Sequence, residues 1–156
     1  MNKLHSILAY ICIAYPLKNE LSKARITKLV YLADWYSSLL NDKQMTDIQW
    51  TFNHYGPYVS DVIESAQQRE DFQIDHQLNS YGSTKDVLCF SGNESAIDLT
   101  NKERSIIDAI INKTKGFYFN EFIDYVYSTY PVSSSERYAN LDLVSLARQY
   151  KQKEVS

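Results

Sequence analysis

The segment from Trp50 to Val59 constrains the fold of this chain more than any other stretch. Trp50 and Phe52 alternate with polar residues, so they lie on one face of an extended strand. Gly56 allows a left-handed backbone, and Pro57 suits the first turn of a helix. Apolar residues then recur at helical spacing: Val59, Val62, Ile63 and Ala66. The segment predicts a strand that turns directly into a helix.

Helical periodicity precedes this segment. One predicted helix runs from about Lys3 to Ala14 and ends before Pro16. Ser22 can cap a second helix, whose apolar pattern continues until Asn41. This second pattern is the longest amphipathic stretch in the chain.

A change of period follows near residue 72, where apolar residues begin to alternate. Residues 72–90 predict a β-hairpin with a polar tip at Asn79–Ser83, and the Trp50 strand would extend it to three strands. Three helices are predicted beyond it, at about residues 101–115, 120–130 and 141–151, the first opened by a capping box of Thr100 and Glu103.

These elements describe an α+β fold that is mainly helical, with about six helices around a small antiparallel β-sheet of about three strands. The chain has 156 residues, 44% of them hydrophobic, which is enough for one core. We therefore expect residues 1–156 to form a single domain.

Cysteine usage and the N-terminal apolar run indicate a cellular compartment. Cys12 and Cys89 lie far apart in apolar surroundings, which favours reduced thiols. The apolar run before Pro16 is too short to cross a bilayer, and no cleavage site of small residues follows it. We expect a cytoplasmic protein without a membrane segment.

No catalytic, metal-binding or cofactor-binding signature is present. None of His5, His54 and His76 has a Cys, Asp or Glu at metal-ligand spacing, and a surface or capping role is favoured for His5 and His76. The four glycines form no phosphate-binding loop. We expect no catalytic residue, no metal and no cofactor, so the chain is not expected to be an enzyme.

Charge is distributed unevenly and bears on DNA binding. The net charge is -3, and residues 57–100 hold two basic residues against eight acidic ones, which opposes a DNA-binding surface there. The alternative function is a transcriptional regulator, in which the three C-terminal helices form a helix-turn-helix and the hairpin is its wing. The last helix carries Arg148, Lys151 and Lys153.

Tyrosine is unusually frequent, with thirteen residues. Core filling is the favoured interpretation for Tyr31, Tyr36 and Trp50. An interaction surface is the other use of such residues, because tyrosine offers a large contact area and a polar tip. Four tyrosines near one short helix cannot all point inward, so part of this set is expected to be exposed: Tyr118, Tyr125, Tyr127 and Tyr130.

Two blocks in this order resemble the Panacea antitoxin domain, which occurs in bacterial toxin–antitoxin pairs and in phage-associated proteins. Residues 26–35, Ile-Thr-Lys-Leu-Val-Tyr-Leu-Ala-Asp-Trp, are similar to the family's helical K-L-x-Y-x-A-D segment. Residues 50–59 are similar to its strand followed by Y-G-P. The resemblance implies a protein that binds and neutralises a toxin, without a reaction or a cofactor.

The two blocks supply candidate residues, in two groups. The expected partner-binding residues are Tyr31, Asp34, Trp35, His54, Tyr55 and Tyr58. The expected scaffold residues are Lys28, Leu29, Ala33, Trp50, Gly56 and Pro57. The identity of the toxin, weak DNA binding and homo-oligomer formation are left open.

Asp34 stands among apolar residues, and a buried carboxylate needs hydrogen-bond donors. We expect it to accept hydrogen bonds from the turn at Tyr55, Gly56 and Pro57 and so to hold the second helix against the sheet. On this hypothesis its replacement by alanine lowers stability by about 1–3 kcal/mol.

Overall fold

The computed structural model describes residues 1–78 and 80–155. Within these residues there are seven α-helices and five β-strands. The helices are α1 (Lys3–Ala14), α2 (Lys23–Asn41), α3 (Asp61–Gln67), α4 (Asn101–Thr114), α5 (Phe119–Ser128), α6 (Tyr130–Ser133) and α7 (Leu143–Val155). The strands are β1 (Trp50–Asn53), β2 (Gly56–Tyr58), β3 (Phe72–Leu78), β4 (Thr84–Phe90) and β5 (Asn140–Leu141). The predicted fold class, mainly helical α+β, is confirmed.

Helix α2 is the central element of the fold. It packs against α1, α3, α4, α5 and α7 and against strands of both sheets. Every residue from Arg25 to Trp35 is buried, so this part of the helix is enclosed on all sides. The amphipathic pattern of the sequence therefore understates the burial of α2, because polar residues of this stretch also lie inside.

Two of the predicted helix starts have the capping groups that the sequence indicates. The Ser22 side chain accepts a hydrogen bond from the Arg25 amide and caps α2. Thr100 and Glu103 form the reciprocal capping box at the start of α4. These local signals lie within a few residues of each helix end, which is why the sequence locates them.

The predicted transition from strand to helix at Pro57 is wrong. Gly56 has the expected positive φ, +105°, but the chain continues as strand β2, and helix α3 begins only at Asp61. Pro57 lies opposite Phe52 in an antiparallel pair. Because β2 is an edge strand, it tolerates a residue that has no amide hydrogen to donate.

The predicted three-stranded sheet exists with different partners. Its strand order is β2-β1-β5, whereas β3 and β4 form a separate two-stranded sheet. Both edges of β1 are occupied, by β2 on one side and by β5 on the other, so the hairpin has no free edge to join. Asn79, in the predicted hairpin tip, lies outside the described residues.

The hairpin and the last helix contact different ends of α2. The Leu88 amide of β4 donates to the Leu21 carbonyl, just before α2. The Lys151 ammonium of α7 donates to the Leu39 carbonyl, near the other end of α2. A helix of 19 residues is about 28 Å long. The hairpin therefore does not lie beside α7 as the wing of a helix-turn-helix would.

None of the helices in the described part of the chain combines the length and the apolar character needed to cross a membrane.

The positive φ of Gly56 generates a test of the turn. We expect Gly56→Ala to lower the free energy of unfolding by about 1–2 kcal/mol, because an L-residue is strained at that φ. Gly116→Ala is the matched control, since Gly116 has no positive φ and nothing within 4 Å of an added Cβ. Urea unfolding measures both variants. Equal losses in the two would contradict a conformational requirement at Gly56.

Candidate functional site

Hydrogen-bond donors surround both oxygens of the Asp34 carboxylate, and we call these donors the Asp34 cage. Its Oδ1 accepts from the amides of Met45 and Thr46, at 2.9 and 3.0 Å. Its Oδ2 accepts from the Thr46 hydroxyl at 2.5 Å and from the Trp50 indole Nε1–H at 2.9 Å. The side-chain amide of Gln44 donates to the same oxygen at 3.4 Å. These bonds tie α2 to the segment that leads into β1.

The expected donors to Asp34 were the residues of the 55–57 turn, and that expectation is wrong. Asp34 lies on α2 beside the start of β1, so the connection that precedes the strand supplies its donors. The carboxylate still holds the second helix against the sheet, through Trp50. Burial raises the pKa of Asp34 to about 6, and the hydrogen bonds from Thr46 and Trp50 oppose that rise.

Lys28 lies beneath the β1–β2 turn. Its Cε is 3.5 Å from the position that a Cβ on Gly56 would occupy, and the Tyr127 hydroxyl is 3.9 Å from the same position. Only 2% of Lys28 is exposed. Burial alone lowers the pKa of its ammonium to about 8. The helical motif and the turn motif therefore meet at this point.

Aromatic side chains surround the turn on its outer side. Tyr55 is 74% exposed, and its ring packs edge-on against the ring of His54 with centroids 4.5 Å apart. Tyr138 is also exposed, and its amide donates to the Phe52 carbonyl on β1. The Arg137 guanidinium lies 5.7 Å from the centroid of the Phe52 ring. We call His54, Tyr55, Tyr58 and Tyr138 the turn surface.

The six expected partner-binding residues divide into two groups. Tyr31, Asp34 and Trp35 are buried, whereas His54, Tyr55 and Tyr58 are exposed. The buried three already contact other groups of the fold, so the exposed three are the ones available to a partner that docks on the folded protein. The Tyr31 hydroxyl bonds to that of Thr129, and the Trp35 ring packs against Tyr150.

All six expected scaffold residues are buried: Lys28, Leu29, Ala33, Trp50, Gly56 and Pro57. Burial agrees with a structural role for the five that are apolar or glycine. Lys28 is the exception, because a buried ammonium without a partner opposes folding.

Sequence reasoning did not connect Arg137, Tyr138 and Tyr127 with the turn. These residues lie more than seventy positions beyond it along the chain, and β5 brings two of them to β1. Strand β5 has only two residues, which is too short for a recognisable alternation. No local signal in the sequence indicates this pairing.

A second exposed aromatic pair lies elsewhere, at the start of α5. Tyr118 and Phe119 border a groove of about 620 Å³ between α5 and the hairpin. The exposure of Tyr118 confirms that part of the tyrosine set faces outward. Charged groups of this groove already interact, since the Lys23 ammonium lies 3.2 Å from the Asp86 carboxylate.

The histidines have structural environments. His5 caps α1, as expected, but it is buried, and its Nε2 is 2.9 Å from the Ser65 carbonyl of α3. His76 pairs with Asp86 on the hairpin. Across residues 1–78 and 80–155, no group of three or more His, Cys, Asp and Glu side chains is placed to hold a metal ion.

The comparisons with known proteins agree with the motif blocks. A family model described as "Antitoxin SocA-like, Panacea domain" matches residues 26–131, more than half of the chain. The match includes both blocks and the β1–β2 turn, so the resemblance read from the residues is confirmed. No curated protein and no solved structure matches this chain.

The cage around Asp34 generates a stability test. We expect Asp34→Ala to lower the free energy of unfolding by about 3 kcal/mol, because buried donors of Thr46 and Trp50 lose their acceptor. Asp47→Ala is the control, since Asp47 is exposed and has no hydrogen bond within the described residues. Thermal and urea unfolding measure the change. A wild-type melting temperature for Asp34→Ala would refute the scaffold role.

The raised pKa of Asp34 predicts a pH dependence. The native state binds this proton more tightly than the unfolded state does, since the pKa rises from 3.8 to about 6 on folding. Proton binding by Asp34 therefore adds to stability fully below pH 3.8, and this proton-linked part is lost as the pH rises through about 6, a fall of about 3 kcal/mol.

Urea unfolding of the wild type and of Asp34→Asn between pH 4 and 7 isolates this contribution, since the other titrating groups are common to both proteins. We expect the stability of the wild type relative to the variant to decrease over that range. A constant difference would show that the pKa of Asp34 is the same in both states.

Proposed function

Because the chain belongs to the family of SocA-like antitoxins with a Panacea domain, we propose that it neutralises a toxin protein by binding it directly. In this role it catalyses no reaction and needs no cofactor. The complex forms in the cytoplasm of a prokaryotic cell, where a cognate toxin would act. The observation that carries the proposal is the family match over residues 26–131.

The turn surface is the part of the molecule that suits this role best. It lies on the Y-G-P block and exposes two aromatic rings in contact, His54 and Tyr55. Tyrosine side chains at interfaces bury large areas with few rotatable bonds. The groove beside Tyr118 is a weaker candidate, because its Lys23 and Asp86 already satisfy each other.

The turn surface is also held in place before any partner arrives. Three backbone pairs join β1 to β2, and the Asp34 cage fixes Trp50 at the start of β1. A surface ordered in advance loses less conformational entropy on binding. Preorganisation of this kind supports direct capture of a folded toxin.

DNA binding has no comparable support. The wing and the last helix of the predicted winged helix-turn-helix contact different ends of α2. A gel shift with the promoter of the chain's own gene, at physiological salt, measures this function directly.

Co-expression tests the proposed function. The reading frame next to the gene of this chain is expressed alone and together with the chain. We expect growth arrest in the first case, recovery in the second, and a complex that co-purifies. A harmless neighbouring product and the absence of any complex would count against the antitoxin role.

One side chain of the turn surface, that of Tyr55, should contribute strongly to toxin binding. We expect Tyr55→Ala to weaken toxin binding tenfold or more, about 1.4 kcal/mol, because the variant removes a large exposed ring at the centre of the surface. The melting temperature should not change, since the side chain has little buried contact to lose.

Leu78→Ala is the matched control, because Leu78 is also 74% exposed but lies on the separate hairpin. Isothermal titration calorimetry with the purified toxin measures all three proteins. Wild-type affinity in Tyr55→Ala, or an equal loss in Leu78→Ala, would place the interface elsewhere.

A further inference from the structure

We propose that Lys28 binds a carboxylate of the partner, an aspartate or glutamate side chain that enters beside the β1–β2 turn and reaches the Lys28 ammonium and the Tyr127 hydroxyl. The inference rests on the proposed function, since it names the chemistry by which the turn surface recognises a toxin. It gives Lys28 a binding role in place of the purely structural one that its motif implies.

The Lys28 ammonium differs from the other buried cation of α2 in its partners. Among the described residues, Lys28 makes no hydrogen bond and no ion pair, although only 2% of it is exposed. Arg25, one turn earlier in α2 and 3% exposed, donates to the Tyr15 hydroxyl and to the Phe117 carbonyl. The fold therefore satisfies one buried cation of α2 and leaves the other unsatisfied.

The Lys28 ammonium is not fully enclosed. Within the described residues, the only fully enclosed side-chain nitrogen or oxygen without a hydrogen bond belongs to Glu20. The Lys28 Nζ also lacks a hydrogen bond, yet it is not among these fully enclosed atoms. A narrow opening must therefore connect it to solvent. We place that opening beside Gly56, because a Cβ there would lie only 3.5 Å from the Lys28 Cε.

Two different hydrogen-bond donors meet at this point. The Tyr127 hydroxyl also lacks a hydrogen bond within the described part of the chain, and it approaches the same point at Gly56 as Lys28 does. An ammonium and a phenol together offer donors for both oxygens of one carboxylate. A phosphate dianion would leave an uncompensated negative charge beside a single ammonium, so a carboxylate fits better.

The electrostatic environment supports this assignment. Burial is the only cause of the lowered pKa of Lys28, so no carboxylate among the described residues stabilises the charge. With a pKa of about 8, the ammonium is still mostly protonated at neutral pH. A carboxylate from outside would remove the electrostatic penalty that the free protein carries.

Lys28→Met separates a binding role from a structural one. The substitution keeps an unbranched apolar stem and removes the unpaired charge. We expect a higher melting temperature at neutral pH together with a loss of toxin affinity of tenfold or more. A residue that only supports the fold would lower both. Tyr127→Phe should weaken binding by a smaller factor.

Lys23→Met is the matched control, because Lys23 also lies on α2 but is only half-buried and is paired with Asp86. It should not raise the melting temperature or weaken toxin binding. Lys28→Arg keeps the charge and should retain more affinity than Lys28→Met does. Full toxin affinity in Lys28→Met would overturn the inference while leaving the proposed function intact.

A second measurement needs no toxin and is made on the wild-type protein. In wild-type protein with ¹³C-labelled lysine, NMR follows the Lys28 Cε signal, assigned by its loss in Lys28→Arg, through a pH titration. Acetate is the probe, with chloride as the control at equal ionic strength and phosphate as the competing anion. We expect acetate to raise the pKa of Lys28 in a saturable way, and more than phosphate does.

The two measurements distinguish failure of the carboxylate site from failure of the proposed function. An acetate effect without any toxin complex would support the carboxylate site and count against the antitoxin role. A Lys28 pKa that acetate leaves unchanged would overturn the site, whatever the toxin result. A larger effect of phosphate than of acetate would overturn the choice of carboxylate.

Discussion

The buried carboxylate of Asp34 is the interaction on which the rest of the structure depends. A charge enclosed in α2 is tolerable only where several donors converge, and they come from residues 44–50. The Trp50 indole is one of them, so satisfying Asp34 also positions the first residue of β1. Strand β1 in turn pairs with β2 and β5 on its two edges, so Asp34 is bonded to the central strand of this sheet.

The polar residues of the helical motif lie on one face of α2. Lys28, Tyr31 and Asp34 are spaced three residues apart, and each meets the β1–β2 unit: Lys28 beneath Gly56, Tyr31 edge-on to the Trp50 ring at 5.6 Å, and Asp34 at the Trp50 indole nitrogen. The two blocks are therefore two sides of a single contact. Their joint occurrence in the sequence reflects packing between a buried helix and a short β-unit.

Prediction from the sequence succeeded where the signal is local. Ser22 and Thr100 mark helix starts with their own side chains, and the positive φ of Gly56 follows from the residue type. It failed where distant segments compete. Pro57 suits a helix start and an edge strand equally well, and the two-residue strand β5 decided which strands join β1. The turn surface was found in part for the same reason: His54 and Tyr55 belong to the block, whereas Tyr138 reaches it through β5.

A structural role explains two of the three polar residues on this face but not the third. The Tyr31 hydroxyl bonds to Thr129, and every oxygen of the Asp34 carboxylate has a donor. Lys28 lacks a partner within the described residues and lies nearest the exposed end of the β1–β2 unit. Stability alone would favour an apolar side chain there, since an unpaired buried charge opposes folding. On our proposal, a residue that opposes folding beside an exposed aromatic turn is kept for what binds there, because a bound carboxylate would offset its desolvation.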